Sequence, residues 1–391
     1  MNHNRMQRRR SLAGVIAAMA VVNLVYGITF PLLALVLDGQ GVSKTLIGLS
    51  TMSQAAAILV IAPLAPRLLR RFAPARMMQT VSVVLALLFI LAGLIPNVWF
   101  WFPLRFVVGA LNSMLWISSE ALINELADEN WRGRIIGIYS SVGAAGFALG
   151  PLLLIATGSE GMLPFYSTSV LVLSAAIPLF VAREYRLKPS SEETASGIWA
   201  VFLLAPTIML ANVVYASAAE SIVTFFPLFG LHLGISENFS LWLLTMIGVG
   251  SMVLILPLSW LADHVNRMGL LVVCIALTML GLLAMPYVLQ HALFAQLFAF
   301  VFGGVEGMIY ALGVILIGER FKGSMLAAAS ASFTAAWAVG TVTGPFLVGA
   351  GMDYFGADRM MLIIFCFFAL YLPLPLRAWV VSVRAHNSRP A

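Results

Sequence analysis

Four ionisable side chains sit where charge is costly: Arg105, Glu120, Glu220 and Glu306 all fall inside long apolar stretches of the chain. A charge at membrane depth is expensive, so each is a candidate for handling a substrate or a proton. Glu220 lies in Tyr215-Ala-Ser-Ala-Ala-Glu220-Ser221, between Pro206 and Pro227. Small residues and prolines there permit close helix approach and local unwinding. Burial disfavours the charged form of a carboxyl, which suits such a group to loading and releasing a proton near neutral pH. Glu306 lies deeper, in Gly303-Gly304-Val305-Glu306-Gly307, with Tyr310 one turn on along the same face. Either glutamate also reads as a neutral or paired carboxyl that only locks two helices together. At about 100° per residue, Arg105, Gly109, Asn112, Trp116 and Glu120 fall within roughly one 60° sector of a helix. A polar stripe of this kind is expected to line a cavity. The alternative is an Arg105 that snorkels to the outer interface. Glu120, close to the inner end of its stretch, suits a structural role.

Helices must position these residues. Hydrophobic types make up 61% of the 391 residues and charged types only 10%, far from the composition of a soluble domain. Apolar stretches predict twelve helices, near 12–37, 46–66, 76–96, 99–122, 133–157, 162–182, 198–232, 240–262, 268–289, 292–318, 324–351 and 359–382. Each can cross about 30 Å of hydrocarbon at about 1.5 Å per residue. The basic N-terminus runs into an apolar stretch too long for the h-region of a signal peptide, so it reads as a first transmembrane helix. The chain carries 22 Lys and Arg. All but three fall at the two ends or in alternate gaps between helices; the exceptions are Lys44, Arg359 and the intramembrane Arg105. Positive residues favour the cytoplasmic face, so an even number of crossings with both termini inside is expected. The net charge of +6 follows from that bias and does not point to nucleic acid. Cys274 and Cys366 both lie in apolar stretches and read as packing residues, not as a disulfide.

The chain repeats itself. At an offset of 194 residues, Gly109 and Glu125 match Gly303 and Glu319, and Gly146, Gly150 and Pro151 match Gly340, Gly344 and Pro345. The same offset carries Tyr139 and Gly143 onto Phe333 and Trp337. Asn23-Leu-Val-Tyr26 resembles Asn212-Val-Val-Tyr215 at an offset of 189. These matches divide the chain into a six-helix half, 1–182, a polar linker, 183–197, expected on the cytoplasmic side, and a second half, 198–391. Two such halves facing each other would give a central site and a rocking motion. Asn23 and Asn212, polar at membrane depth, and the aromatics Tyr26, Tyr215, Trp337, Tyr139 and Phe333 are candidates to wall that site, although aromatics in membrane helices also serve plain packing. Gly143, Gly146 and Gly150, and likewise Gly340 and Gly344, lie on stripes that let neighbouring helices pack closely.

Three signatures resemble the major facilitator superfamily, over nearly the whole chain. The loop after helix 8, Ser259-Trp-Leu261-Ala262-Asp263-His264-Val-Asn266-Arg267, is similar to the superfamily's Gly-x-Leu-Ala-Asp-Arg-x-Gly-Arg-Arg. Its first copy, Ala62-Pro-Leu-Ala65-Pro66-Arg67-Leu-Leu-Arg70-Arg71, has Pro66 in place of the acidic residue. Helix 4 carries Arg105-Phe-Val-Val-Gly109, and helix 5 carries Gly146-Phe-Ala-Leu-Gly150-Pro151, which resembles a motif associated with proton-exchanging exporters; leucine replaces further glycines of that motif. The resemblance implies the major facilitator fold: an all-α polytopic membrane protein with two six-helix pseudo-repeats around a central cavity. It also implies that Glu125 and Arg132 at the helix 4–5 turn, and Glu319 and Arg320 at the 10–11 turn, form salt bridges with basic loop residues to close the cytoplasmic side; Arg67, Arg70, Arg71, Asp263 and Arg267 belong to that gate.

No nucleotide-binding loop or metal spacing is present, so no cofactor is expected and the protein is not expected to be an enzyme. The expectation is a monomeric secondary transporter in a bacterial inner membrane, moving a small-molecule substrate by alternating access, with protons as the coupling ion and export as the direction. Proton symport or facilitated uptake is the nearest alternative. A membrane sensor or lipid-handling protein is the alternative outside transport.

Overall fold

A computed structural model describes residues 2–61, 64–127, 131–182, 202–322 and 324–387. Among them there are helices, turns and no strand. Twelve helices are long and apolar enough to cross a membrane. In chain order they are α1 (Met6–Gly39), α2 (Lys44–Ile61), α3 (Pro74–Leu94), α4 (Val98–Leu126), α5 (Arg134–Thr157), α6 (Leu163–Ala182), α7 (Pro206–His232), α8 (Glu237–Ala262), α9 (Arg267–Val288), α10 (Ala292–Arg320), α11 (Ala328–Phe355) and α12 (Ala357–Val381).

Prolines account for most departures from the predicted helices. The helix expected over 46–66 ends at Ile61, and a separate short helix, Ala65–Arg71, follows with Pro66 in its first turn. Proline lacks the N–H that a helix interior needs, but the first turn does not use that donor. The helix expected from 198 begins at Pro206, because Ala205 before it has an extended φ of −133°. A residue preceding proline is pushed out of the helical region. α12 is re-started at Pro373, after Met360–Tyr371. Residues 198–201 and the predicted linker 183–197 lie outside the described residues.

The chain divides into two compact units, Met1–Ser191 and Glu192–Ala391. In the first, α1 crosses α5 at backbone distance: a Cβ on Gly150 would lie 2.7 Å from the Gly27 Cα, and one on Gly146 would strike the Ala20 carbonyl. α2 crosses α4 where Gly109 meets the Gln54 main chain. Ser169 on α6 donates to the Ala86 carbonyl of α3 at 2.8 Å. The second unit is built alike. α11 lies on α7 through Gly340 and Gly344 against Val213 to Ser217, and α10 lies on α8 through Gly303 against Ile247. Small residues that let helix backbones touch supply van der Waals contact where lipid leaves no hydrophobic drive between helices.

Candidate functional site

In the second unit the candidate residues converge. Asn212 and Tyr215 lie one turn apart on α7, Glu306 and Tyr310 one turn apart on α10, and Phe333 and Trp337 one turn apart on α11. The rings form a continuous wall: Tyr215 lies 5.8 Å from Tyr310 and 5.6 Å from Trp337, and Tyr310 lies 5.5 Å from both Trp337 and Phe333. These spacings are those of interacting aromatic pairs. The wall is reachable, since Tyr310 is 39% exposed and Tyr215 and Trp337 are half-buried. Glu306 and Glu220 both lie within electrostatic range of the Tyr215 hydroxyl. Glu306 is 4% exposed and its Oε1 has no hydrogen-bond partner. Asn212 is 1% exposed; its amide Nδ2 donates to the Phe333 carbonyl at 2.6 Å, while its Oδ1 has no hydrogen-bond partner. Glu220 is buried on the same helix, where Thr224 Oγ1 donates to its main-chain carbonyl at 2.8 Å.

The first unit does not assemble its counterparts in the same way. Tyr26 packs edge-on to Phe30 at 4.7 Å and lies 6.0 Å from Phe147. Asn23 bonds within its own helix, Nδ2 to the Met19 carbonyl at 2.8 Å, and faces Gly143 of α5. Tyr139 exchanges a hydrogen bond with Ser119 of α4 at 2.8 Å. The expectation that the α4 stripe lines one open face needs correction at its start. Arg105 is 1% exposed and turned into α2, donating through Nε to Gln54 Oε1 at 3.2 Å and through Nη1 to Ser50 Oγ at 2.9 Å. It does not snorkel either. A buried guanidinium requires acceptors, and α2 supplies them. Asn112 is also buried, Trp116 is half-buried, and only Glu120 is exposed. Gln54 and Ser50 escaped the reading of the chain, although two polar residues one turn apart in an apolar helix were the available signal.

At the helix ends, Arg267 bonds two carboxylates. Its Nη2 lies 3.1 Å from Asp263 Oδ1 and its Nη1 pairs with Glu319 Oε1 at the end of α10. Its Nε donates to the Ala262 carbonyl at 3.2 Å, and Asn266 caps α9 through Gly269 N at 2.8 Å. Arg320 instead donates to the Leu204 carbonyl at 2.7 Å. Arg8, at the basic N-terminus, donates to the Leu126 carbonyl at the end of α4 at 2.5 Å. A cation there faces the negative end of the helix dipole. Glu125 is half-buried, Arg67 and Arg71 are exposed, and the side chains of Pro66, Arg70 and Arg132 lie outside the described residues.

Twelve membrane-length helices among the described residues, in two like-built units, define a polytopic membrane protein with ionisable residues inside its spans. The chain belongs to the major facilitator superfamily, whose family model matches residues 15–239 and 208–391. It is 24% identical over 352 residues to the uncharacterised MFS-type transporter YfkF of Bacillus subtilis, covering 86% of this chain and 88% of that one. It is 25% identical over 291 residues to the uncharacterised MFS-type transporter YcaD of Escherichia coli, covering 73% and 74%. Solved structures agree in fold. The nucleoside transporter NupG superposes with a TM-score of 0.77 at 13% identity over 94% of this chain and 99% of that one. A D-xylose-proton symporter superposes with a TM-score of 0.69 at 15% identity over 93% and 96%.

Proposed function

We propose that this chain is a proton-coupled secondary transporter that exports a small organic molecule by alternating access, acting as a monomer in a bacterial inner membrane with both termini cytoplasmic. The observation that carries the reading is Glu306: a buried carboxyl with an unsatisfied oxygen, beside three rings that a substrate can reach. A buried polar group without its hydrogen bonds is costly, and the cost is offset if the group gains a proton or a ligand during the cycle. Glu220, within electrostatic range of Tyr215, is the second proton-handling candidate. Asn212, Tyr215, Tyr310 and Trp337 supply the substrate wall in this half; Asn23, Tyr26, Asn112 and Trp116 are its candidates in the other. The resemblance of Gly146 to Pro151 to an exporter motif supports the direction. The Arg267 pairs with Asp263 and Glu319 support a gate element at the cytoplasmic ends of α8 to α10.

Purified protein in liposomes loaded with a pH-sensitive dye tests this. A transported compound is expected to move protons the opposite way, and Glu306→Gln is expected to abolish that flux. Co-directional proton movement would replace export with symport. Substrate movement without any proton flux, unchanged in Glu306→Gln, would end the proton-coupled reading.

A further inference from the structure

Resting on the transporter reading, we infer that the second-unit cluster binds an organic ammonium: a small aromatic or apolar body carrying a protonated amine with N–H donors. Three independent features of the cluster select that chemistry. The first is the imbalance of hydrogen-bonding groups. Two side chains more than nine-tenths buried, Glu306 and Asn212, each present an oxygen acceptor without a donor. The Asn212 amide orientation is fixed by its Nδ2 bond to the Phe333 carbonyl, so its oxygen is the end left unmet. A ligand that completes the site must bring donors, which a sugar, an amide or an ammonium can do and a carboxylate cannot.

The second feature is charge. Among the described residues from α7 to the end of the last helix, every Lys and Arg stands at or beyond a helix end or in the C-terminal helix: Arg267, Arg320, Lys322, Arg359, Arg377 and Arg384. The intramembrane charges of this unit are therefore the carboxyls of Glu220 and Glu306, both within electrostatic range of Tyr215. Arg105, an intramembrane cation of the described residues, is in the other unit and already holds Gln54 and Ser50. An anion entering the cluster meets two carboxyls of its own sign and no Lys or Arg, with only the neutral Tyr and Trp groups to donate to it; a cation meets a partner.

The third feature is the wall itself. Tyr215, Tyr310 and Trp337 are mutually spaced at 5.5–5.8 Å. Tyr and Trp faces attract ammonium ions through their negative quadrupole, and Trp does so best. Sugars and amides also donate hydrogen bonds, to carboxyls included, but they carry no charge to pair with two acids or to be drawn to these ring faces. The combination of donors and positive charge is what separates the amine from them.

Calorimetric titration of the purified protein in nanodiscs tests the inference with matched probes: phenethylamine, its anionic counterpart 3-phenylpropionate, its neutral counterpart propylbenzene, the quaternary phenethyltrimethylammonium, and D-xylose. Phenethylamine is expected to bind at least tenfold more tightly than the anionic and neutral probes. The quaternary ion, which keeps the charge but has no N–H, is expected to fall between them. Glu306→Gln and Asn212→Ala are each expected to weaken phenethylamine binding, and Glu306→Asp to restore part of it, with the ligand-free melting temperature of Glu306→Gln near that of the parent. Preference for the anion, for xylose or for the neutral probe overturns the inference, as does failure of every amine to bind or unchanged binding in both variants. Proton flux in liposomes separates the two claims. An amine that binds but drives no proton flux leaves the ammonium site standing and removes the coupling. Proton flux driven by an acid or a sugar leaves coupling standing and removes the ammonium site.

Discussion

Glu306 and Glu220 differ in what surrounds them, and their variants should differ accordingly. Replacing Glu306 by Gln keeps its shape and removes its charge and its ability to exchange a proton, at a site that already leaves Oε1 unpaired. Stability is therefore expected to change by no more than about 1 kcal/mol, the scale of one net hydrogen bond, while proton-driven transport falls to background. Glu220→Gln is expected to impair coupled transport in the same assay. Normal proton-driven transport across pH 5.5–8 in both variants would make the two carboxyls structural. The Arg267 cluster behaves differently, because one guanidinium serves two carboxylates. Asp263 is 64% exposed in its side chain and Glu319 50%, so each pair is worth at most about 1 kcal/mol after solvent screening. Either Asp263→Asn or Glu319→Gln leaves Arg267 a partner. The double variant is expected to lose more than the sum of the singles in a double-mutant cycle of melting temperatures, and the difference should shrink with added salt. Simple additivity would show that the two pairs act separately. The candidates of the second unit were legible in the sequence because an acid in an apolar helix announces itself. The partners of Arg105 were not, because its acceptors lie on another helix and the pairing is tertiary.

Helices were legible wherever apolar runs set the length, and least so where proline cuts a run, at the segment around Pro66, at Pro206 and at Pro373. The glycine repeat was legible as a pattern, but the partner of each stripe was not: α1 for α5 and α7 for α11 emerge only from packing. That packing makes a sharp contrast between glycines of one helix. A Cβ at Gly150 would meet the Gly27 Cα and the Ile28 N at 2.7 Å, both backbone atoms that cannot swing away. Gly150→Ala is expected to destabilise by about 1–3 kcal/mol, the cost of overpacking, and Gly344→Ala, against the Ser217 Cα at 2.5 Å, by a similar amount. Gly137, in the same helix as Gly150, has nothing within 4 Å of such a Cβ. Gly137→Ala is expected to be neutral or to stabilise by up to about 1 kcal/mol through helix propensity. Melting temperatures in one detergent compare the three. Equal effects at Gly150 and Gly137 would mean that the close crossing of α1 and α5 is not maintained in the folded protein.

Across the whole chain, duplication explains why residues with the same repeat address have different roles. Arg105 and Ala299 share the 194-residue offset, yet one bonds polar side chains of α2 and the other is a fully buried alanine. Pro66 and Asp263 occupy matching loop positions, yet only the second supplies a carboxylate. Glycine crossings thus recur in both halves, while the polar and ionisable side chains at matching positions differ. Orientation in the membrane is likewise a property of the entire chain, and it follows from where Lys and Arg are placed. The two basic residues in gaps of the sparse side each have a carboxylate neighbour: Lys44 lies 2.5 Å from Asp38, and Arg359 lies 3.2 Å from Asp358. The basic residues of the opposite gaps are far more numerous, and it is the Lys and Arg count near the spans that orients a chain, not its net charge. With twelve crossings and this bias, Lys44 is expected outside and Arg186 inside. The measurement is a single cysteine at either position, in a background with the buried Cys274 and the exposed Cys366 replaced. Lys44→Cys is expected to react with a membrane-impermeant maleimide in intact cells, and Arg186→Cys only after permeabilisation. The reverse pattern would invert the orientation. Five helices, α2 to α6, separate the two positions, and an odd number of crossings puts them on opposite sides; labelling of both from one side would mean that an odd number of those five helices do not span.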